Sequence, residues 1–171
     1  MRNNPHRGKM QDKGFLVDVM LQKLGRWLRI IGVPTEMPES EDDTRILQQA
    51  KEHNLILLTR DQELAERAKK LKIKVFAIPK RETNTENQLK EVVKEFKLDL
   101  GKFEDKILCT KCGGNLELVD RSEVRGKIPD KVTENFSDFL RCRSCGQIYW
   151  EGRQWKKINE RIKRMREQNK D

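Results

Sequence analysis

The stretch Leu55-Ile56-Leu57-Leu58-Thr59-Arg60-Asp61 decides the architecture: four apolar residues in succession run straight into a polar turn. A strand with one wet face alternates apolar and polar side chains, so an unbroken apolar run reads as a strand buried on both faces, as parallel strands are. Downstream, Leu64, Ala65, Ala68 and Leu71 form the apolar side of a helix over 62–71. A third strand over 73–78 is stopped by Pro79, and Leu89, Val92, Val93 and Phe96 set a helix over 85–97. Upstream, Ser40 and Asp43 resemble a loose N-cap for a helix over 43–53. Before that, Leu21, Leu24, Leu28 and Ile31 repeat with helical period, Met20 and Trp27 widen the stripe, and Gly32 and Pro34 end it. Its opposite face carries Lys23, Arg26 and Arg29, and Gly14–Asp18 supplies the first strand. Strands alternating with helices predict an α/β domain over 14–100, in three layers around a mainly parallel sheet.

Beyond residue 100 the pattern changes. All four cysteines lie in two C-x-x-C pairs, Cys109/Cys112 and Cys142/Cys145, each followed by glycine and then a short apolar segment. Two such turns present four thiolates to one tetrahedral ion, so a four-cysteine zinc ribbon over 101–153 is expected, with 120–140 as an excursion between the knuckles. Two disulfides or a redox pair are weaker readings in a protein expected to be cytoplasmic, while iron shares the ligand set. Arg141, Arg143, Tyr149 and Trp150 offer charge and stacking surface for nucleic acid, and the two aromatics could equally pack inside the ribbon. From residue 154 a basic helix is expected, with Trp155, Ile158, Ile162 and Met165 on one side.

Thirty-seven Lys and Arg against 28 Asp and Glu give +9, and most of the excess sits at the ends. Residues 1–13, read as a basic flexible arm, carry a net +3 and residues 151–171 a net +4. Basic ends on a nearly neutral body suit a polyanion, because Lys and Arg clusters gain by releasing counterions from phosphates. The longest apolar runs are far shorter than the roughly 20 residues of a membrane span, and Met1–Lys13 has no apolar core of a secretory signal. Lysine, glutamate and isoleucine usage hints at a thermophilic archaeal source.

The acids supply the chemistry. Asp18 closes the first strand, Asp61 follows the middle strand, and Asp42 and Asp43 open a helix; in a parallel sheet all would arrive at the edge formed by the strands' carboxyl ends. Clustered carboxylates repel unless a hard cation such as Mg²⁺ or Mn²⁺ binds, and such an ion activates water for phosphodiester hydrolysis. Singly, Asp43 and Asp61 also sit where a helix cap would, and Asp18 lies before a helix whose dipole it would favour. Lys23, Arg26, Arg29 and Arg60 surround this edge and are assigned to phosphate positioning, with a solvated helix face as the plainer reading. His53 and His6 have no ligand-like neighbours in the sequence.

Phe15-Leu-Val-Asp18, Met20-Leu-Gln-Lys-Leu-Gly-Arg-Trp-Leu-Arg29, Asp42-Asp43 and Leu57-Leu-Thr-Arg-Asp61, with the two cysteine pairs, resemble the Mut-seven C-terminal RNase domain family from about residue 14 to about 160. That resemblance implies a PIN-like fold joined to a zinc ribbon, and metal-dependent RNA cleavage by Asp18, Asp43 (or Asp42) and Asp61. PIN-like nucleases usually add a helical Glu between the first and middle acids; the short 32–42 segment offers only Glu36, Glu39 and Glu41. The expected function is therefore a metal-dependent endoribonuclease with Zn²⁺ in the ribbon and Mg²⁺ or Mn²⁺ at the acids, acting on RNA and able to pair as a homodimer. The alternative is a weakly catalytic or non-catalytic RNA-binding protein associated with rRNA or the ribosome. A free-standing toxin is disfavoured, because such toxins rarely carry an appended ribbon.

Overall fold

The computed structural model describes residues 13–100 and 106–168. Most of the basic arm expected at 1–13, and His6 within it, lies outside the described residues. Four parallel strands, β1 (Phe15–Val17), β2 (Thr35–Glu36), β3 (Ile56–Thr59) and β4 (Val75–Ala77), form a sheet in the order β2-β1-β3-β4. Every residue of β1 and β3 is buried, the condition that an unbroken apolar run implies. Helices α1 (Gln22–Ile30), α2 (Asp43–Glu52), α3 (Gln62–Lys70) and α4 (Thr85–Glu95) alternate with the strands.

Alternate side chains of the strands go to opposite layers. Phe15, Val17, Ile56 and Leu58 pack with Leu24 and Leu28 of α1 and Leu89, Val92 and Val93 of α4. Leu16 and Leu57 pack instead with Ile46, Leu47 and Ala50 of α2 and Leu64 and Ala68 of α3. The period of two in the strands thus feeds two separate apolar clusters, the mark of a three-layer domain. Because each helix returns antiparallel to the sheet, α1, α3 and α4 all begin at its carboxyl edge.

Two details depart from expectation. Strand β2, which starts directly after Pro34, was not anticipated; it is too short to show a period. Met20 is 65% exposed instead of extending the α1 stripe. It belongs to a single 3-10 turn, Val19–Leu21, whose tighter winding shifts the phase before α1 starts.

The second half is an antiparallel ribbon of β5 (Leu116–Val119), β6 (Phe139–Cys142) and β7 (Ile148–Trp150), in that order. Between β5 and β6 the chain makes two short helices, α5 (Arg121–Val124) and α6 (Asp130–Asn135). The ribbon core is small: Val119, Val124, Phe139 and Ile148, with Ile128, Val132, Phe136 and Trp150 around them. Trp150 therefore packs inward. Helix α7 (Arg153–Gln168) is basic, but it is no free tail, because Ile162 and Met165 are buried in the same cluster as α1 and α4.

Candidate active site and metal centre

Asp18 ends β1 and is 3% exposed. Its Oδ1 accepts the Met20 amide at 2.8 Å, and its Oδ2 accepts both the Thr59 hydroxyl and the Arg60 amide, the latter at 3.3 Å. All three donors are neutral, so they hold the carboxylate in place without cancelling its charge. Thr59 Oγ1 in turn accepts the Asp61 amide at 2.9 Å. Asp61 Oδ1 caps α3 by accepting the Glu63 and Leu64 amides at 2.8 and 3.2 Å. One fully buried hydroxyl thus ties Asp18 to Asp61 at the carboxyl edge. Sequence reasoning gave Thr59 no role; its position two before an acid, at the end of a buried strand, was the available signal.

The other acids are placed differently. Asp42, not Asp43, caps α2: its Oδ1 accepts the Arg45 amide at 3.0 Å, and its own amide donates to Ser40 Oγ. Asp43 is half-exposed and paired with Arg67 of α3 at 3.1 Å, while Arg67 also donates to Thr44 Oγ1 at 3.0 Å. The expected cluster of un-neutralised carboxylates is corrected on this point, since a cation from the neighbouring helix already balances Asp43. Among the described residues, the four cysteines are the one group of three or more potential ligands placed to hold a metal ion, with all their sulfurs within 4.8 Å of one another. Residues 32–42 contain no helix, and Glu36 on β2 bonds His53 and Gln49.

Among the basic residues, Lys23 and Arg26 are exposed on α1. Arg60 donates from Nη2 to the Lys80 carbonyl, while its buried Nε has no hydrogen-bond partner. Arg29 corrects the sequence reading: it is 3% exposed, not on the solvent side. Three-residue steps along an α-helix drift by roughly 60° each, so Arg29 is turned about 120° from Lys23. There Nε donates to the Thr35 carbonyl at 2.7 Å and Nη1 to the Thr110 carbonyl at 3.0 Å. Burial pulls the Arg29 pKa below its ordinary value, opposed by the nearby Cys112 and Cys109 sulfurs. Arg141 and Arg143, both expected to meet RNA, are engaged by Glu117 of β5. Arg141 meets it at 2.8 Å across the strand register and Glu123 at 3.4 Å, and Arg143 meets Glu117 at 3.1 Å.

The four cysteines are free thiols, with Cys109 and Cys142 buried and Cys112 and Cys145 exposed. The Cys109–Cys145 and Cys112–Cys142 sulfurs are 3.6 and 3.4 Å apart. Thiolates at roughly 2.3 Å around a tetrahedral ion stand about 3.8 Å from one another, so the set could hold a metal such as zinc with little adjustment. Gly113 and Gly146, at φ of 81° and 75°, turn the chain behind each pair in the left-handed region that other residues avoid. Burial pushes the Cys109 thiol up, but the Tyr149 hydroxyl and the Cys112 and Lys111 amides outweigh it and bring it down to about 6, whereas burial and the neighbouring sulfurs push Cys112 up to about 12, as crowded thiols sharing one cluster do. Tyr149 Oη lies 3.1 Å from Cys109 Sγ and 3.2 Å from Thr110 Oγ1, so this ring supports a knuckle.

A parallel α/β sheet with linked acids on its carboxyl edge, joined to a four-cysteine ribbon, defines a two-part protein with one potential metal centre already assembled. The family model described as Mut7-C RNAse domain matches residues 13–162, nearly the whole chain, and the protein belongs to that family. Membership points to a nuclease or RNA-related role. No curated protein matches the chain. No helix among the described residues is long and apolar enough to cross a membrane.

Proposed function

We propose that this protein is a metal-dependent endoribonuclease that hydrolyses RNA phosphodiesters at the carboxyl edge of its parallel sheet. The observation that carries this reading is the Asp18–Thr59–Asp61 linkage, in which one hydroxyl orients the buried Asp18 carboxylate and holds the backbone of Asp61, a second acid at the same sheet edge, in a chain of an RNase family. Asp18 and Asp61, with Asp43 if it exchanges Arg67 for the ion, would hold Mg²⁺ or Mn²⁺. Such an ion, when bound, supplies an activated water and neutralises charge on the phosphate. Thr59 orients Asp18, and Lys23, Arg26 and Arg60 position the RNA backbone. Residues 14–100 form the nuclease domain, the ribbon carries structural Zn²⁺ on Cys109, Cys112, Cys142 and Cys145, and the basic helix follows as Arg153–Gln168; residues 101–105 and 169–171 of the expected ribbon and helix lie outside the described residues. Cytoplasmic RNA is the partner class.

A second reading has its own support: the Asp43–Arg67 pair and the lack of a helical Glu over 32–42 favour a weakly catalytic RNA-binding protein, associated with rRNA or the ribosome. The test is incubation with mixed structured and unstructured RNAs in Mn²⁺, Mg²⁺ or EDTA, alongside Asp18→Asn and Asp61→Asn. Metal-dependent cuts absent from both variants support the nuclease. RNA that is bound yet intact in every lane overturns it.

A further inference from the structure

Apart from the acids, one cleft combines the groups that single-stranded RNA needs. It lies between α1, α4 and α7, has a volume of about 270 Å³, and is lined by Lys23, Trp27, Thr85, Glu86, Leu89 and Arg161 among others. We infer that this cleft is a nucleotide subsite, in which one unpaired base stacks on Trp27 and an adjoining phosphate is held by Lys23 and Arg161. The inference rests on the nuclease reading for its substrate class, and it adds where an unpaired base would sit.

Trp27 is half-buried and braced against the main core, so its ring is held in place while part of it stays open. Base–aromatic stacking needs such a fixed face. Over that ring stands the Arg161 guanidinium, 6.0 Å from the centroid. A base held between two flat groups needs them roughly 6.8 Å apart, twice the ~3.4 Å rise of stacked bases. Arg161 is exposed on α7, so its side chain can move out by that small difference. The volume is near the lower end of small-molecule sites, roughly 300 Å³, and suits one base better than a run of them.

Charge sets the orientation. Glu86 on the wall is balanced by Lys90 at 3.5 Å, so the uncompensated positive charge at the cleft comes from Lys23 and Arg161, both exposed; the phosphate stays with those two and the uncharged base enters against Trp27. Location ties the cleft to the acids. Lys23 is in the first turn of α1, and Thr85 and Glu86 open α4; both helices begin at the carboxyl edge that holds Asp18. A strand with one base in the cleft would run its backbone along that edge.

The experiment measures binding of a fluorescein-labelled unstructured RNA decamer to the Asp18→Asn chain, with and without further substitutions. Trp27→Leu is expected to weaken binding by roughly 5- to 150-fold, the effect of losing one stacking platform, while Trp27→Phe stays within a few-fold of the parent. Lys23→Ala and Arg161→Ala are expected to weaken it and each to lower the salt dependence by about one counterion. These two sites are exposed, so they carry the test if Trp27→Leu fails to fold. Unchanged affinity in folded Trp27→Leu, or in both cation variants, overturns the subsite. The two readings fail differently: RNA bound through Trp27 but never cut by the parent chain removes the nuclease and keeps the subsite. Cleavage whose KM ignores Trp27, Lys23 and Arg161 removes the subsite and keeps the nuclease.

Discussion

The Arg29 guanidinium meets the Thr110 carbonyl at 3.0 Å, joining residues 81 apart in sequence. Its Nε holds the Thr35 carbonyl of β2 at 2.7 Å, and the Arg29 carbonyl accepts the Leu108 amide at 2.9 Å. One residue therefore fastens the edge of the parallel sheet to the first cysteine knuckle. A Cβ on Gly113 would stand only 3.2 Å from Arg29 Nε, so the turn also leaves room for the guanidinium.

Arg29→Leu leaves two carbonyls without their donor and is expected to cost on the order of 3 kcal/mol. Arg29→Lys recovers only part, because one ammonium cannot span acceptors on separate elements as a planar fork does. Urea unfolding of the three proteins checks this, and a Leu variant as stable as the parent would show that the clasp is idle.

Thr59→Val removes the hydroxyl between Asp18 and Asp61. Outer partners of ligating groups typically govern 10–100-fold in activity or affinity, and a drop of about that size in metal-dependent RNA cleavage is expected. Thr59→Ser keeps the hydroxyl and should retain most of the rate. Parallel kinetics on the two variants decide between a positioning role and simple packing.

Stripping the cysteine site with a strong chelator should unfold the ribbon first. Its core holds four buried apolar residues, too few for independent stability without a metal's contribution. Amide spectra should lose dispersion for 106–152 while signals of β1 and β3 persist. Retention of the ribbon signals in metal-free protein would refute this.

His53 Nδ1 lies 2.7 Å from Glu36 Oε2, and that hydrogen bond, followed by the carboxylate's charge, raises the His53 pKa above its ordinary value. Because the folded value is the higher one, the pair's contribution is complete below the ordinary histidine pKa of about 6.5 and is lost as pH rises through the raised value. Glu36→Gln should return the titration to the ordinary range, read from the His53 ring protons. An unmoved midpoint would show the contact to be absent in solution.

Periodicity made the α/β sequence of elements legible, because strand and helix positions repeat at two and 3.6 residues wherever a side meets a core. It could not reveal β2, whose two residues have no period, nor the phase shift that exposes Met20. The cysteine turns were readable from spacing, since two thiolates per knuckle need only local geometry. Partners across elements were not. Asp43 looked free until α3 brought Arg67 beside it, and Arg141 and Arg143 looked available until the β5–β6 register set Glu117 against them.

By itself the sequence determined the layering, the edge to which Asp18 and Asp61 come, and the two cysteine turns, because each follows from a pattern close along the chain. Only the tertiary structure decided which charges stay open. Arg29 was drawn into the seam between sheet and ribbon, Asp43 was neutralised, Asp18 was held by uncharged donors, and Trp27 was set beneath Arg161. Charges act through space over a few ångströms, and the neighbours that fix their roles lie tens of residues away in the chain.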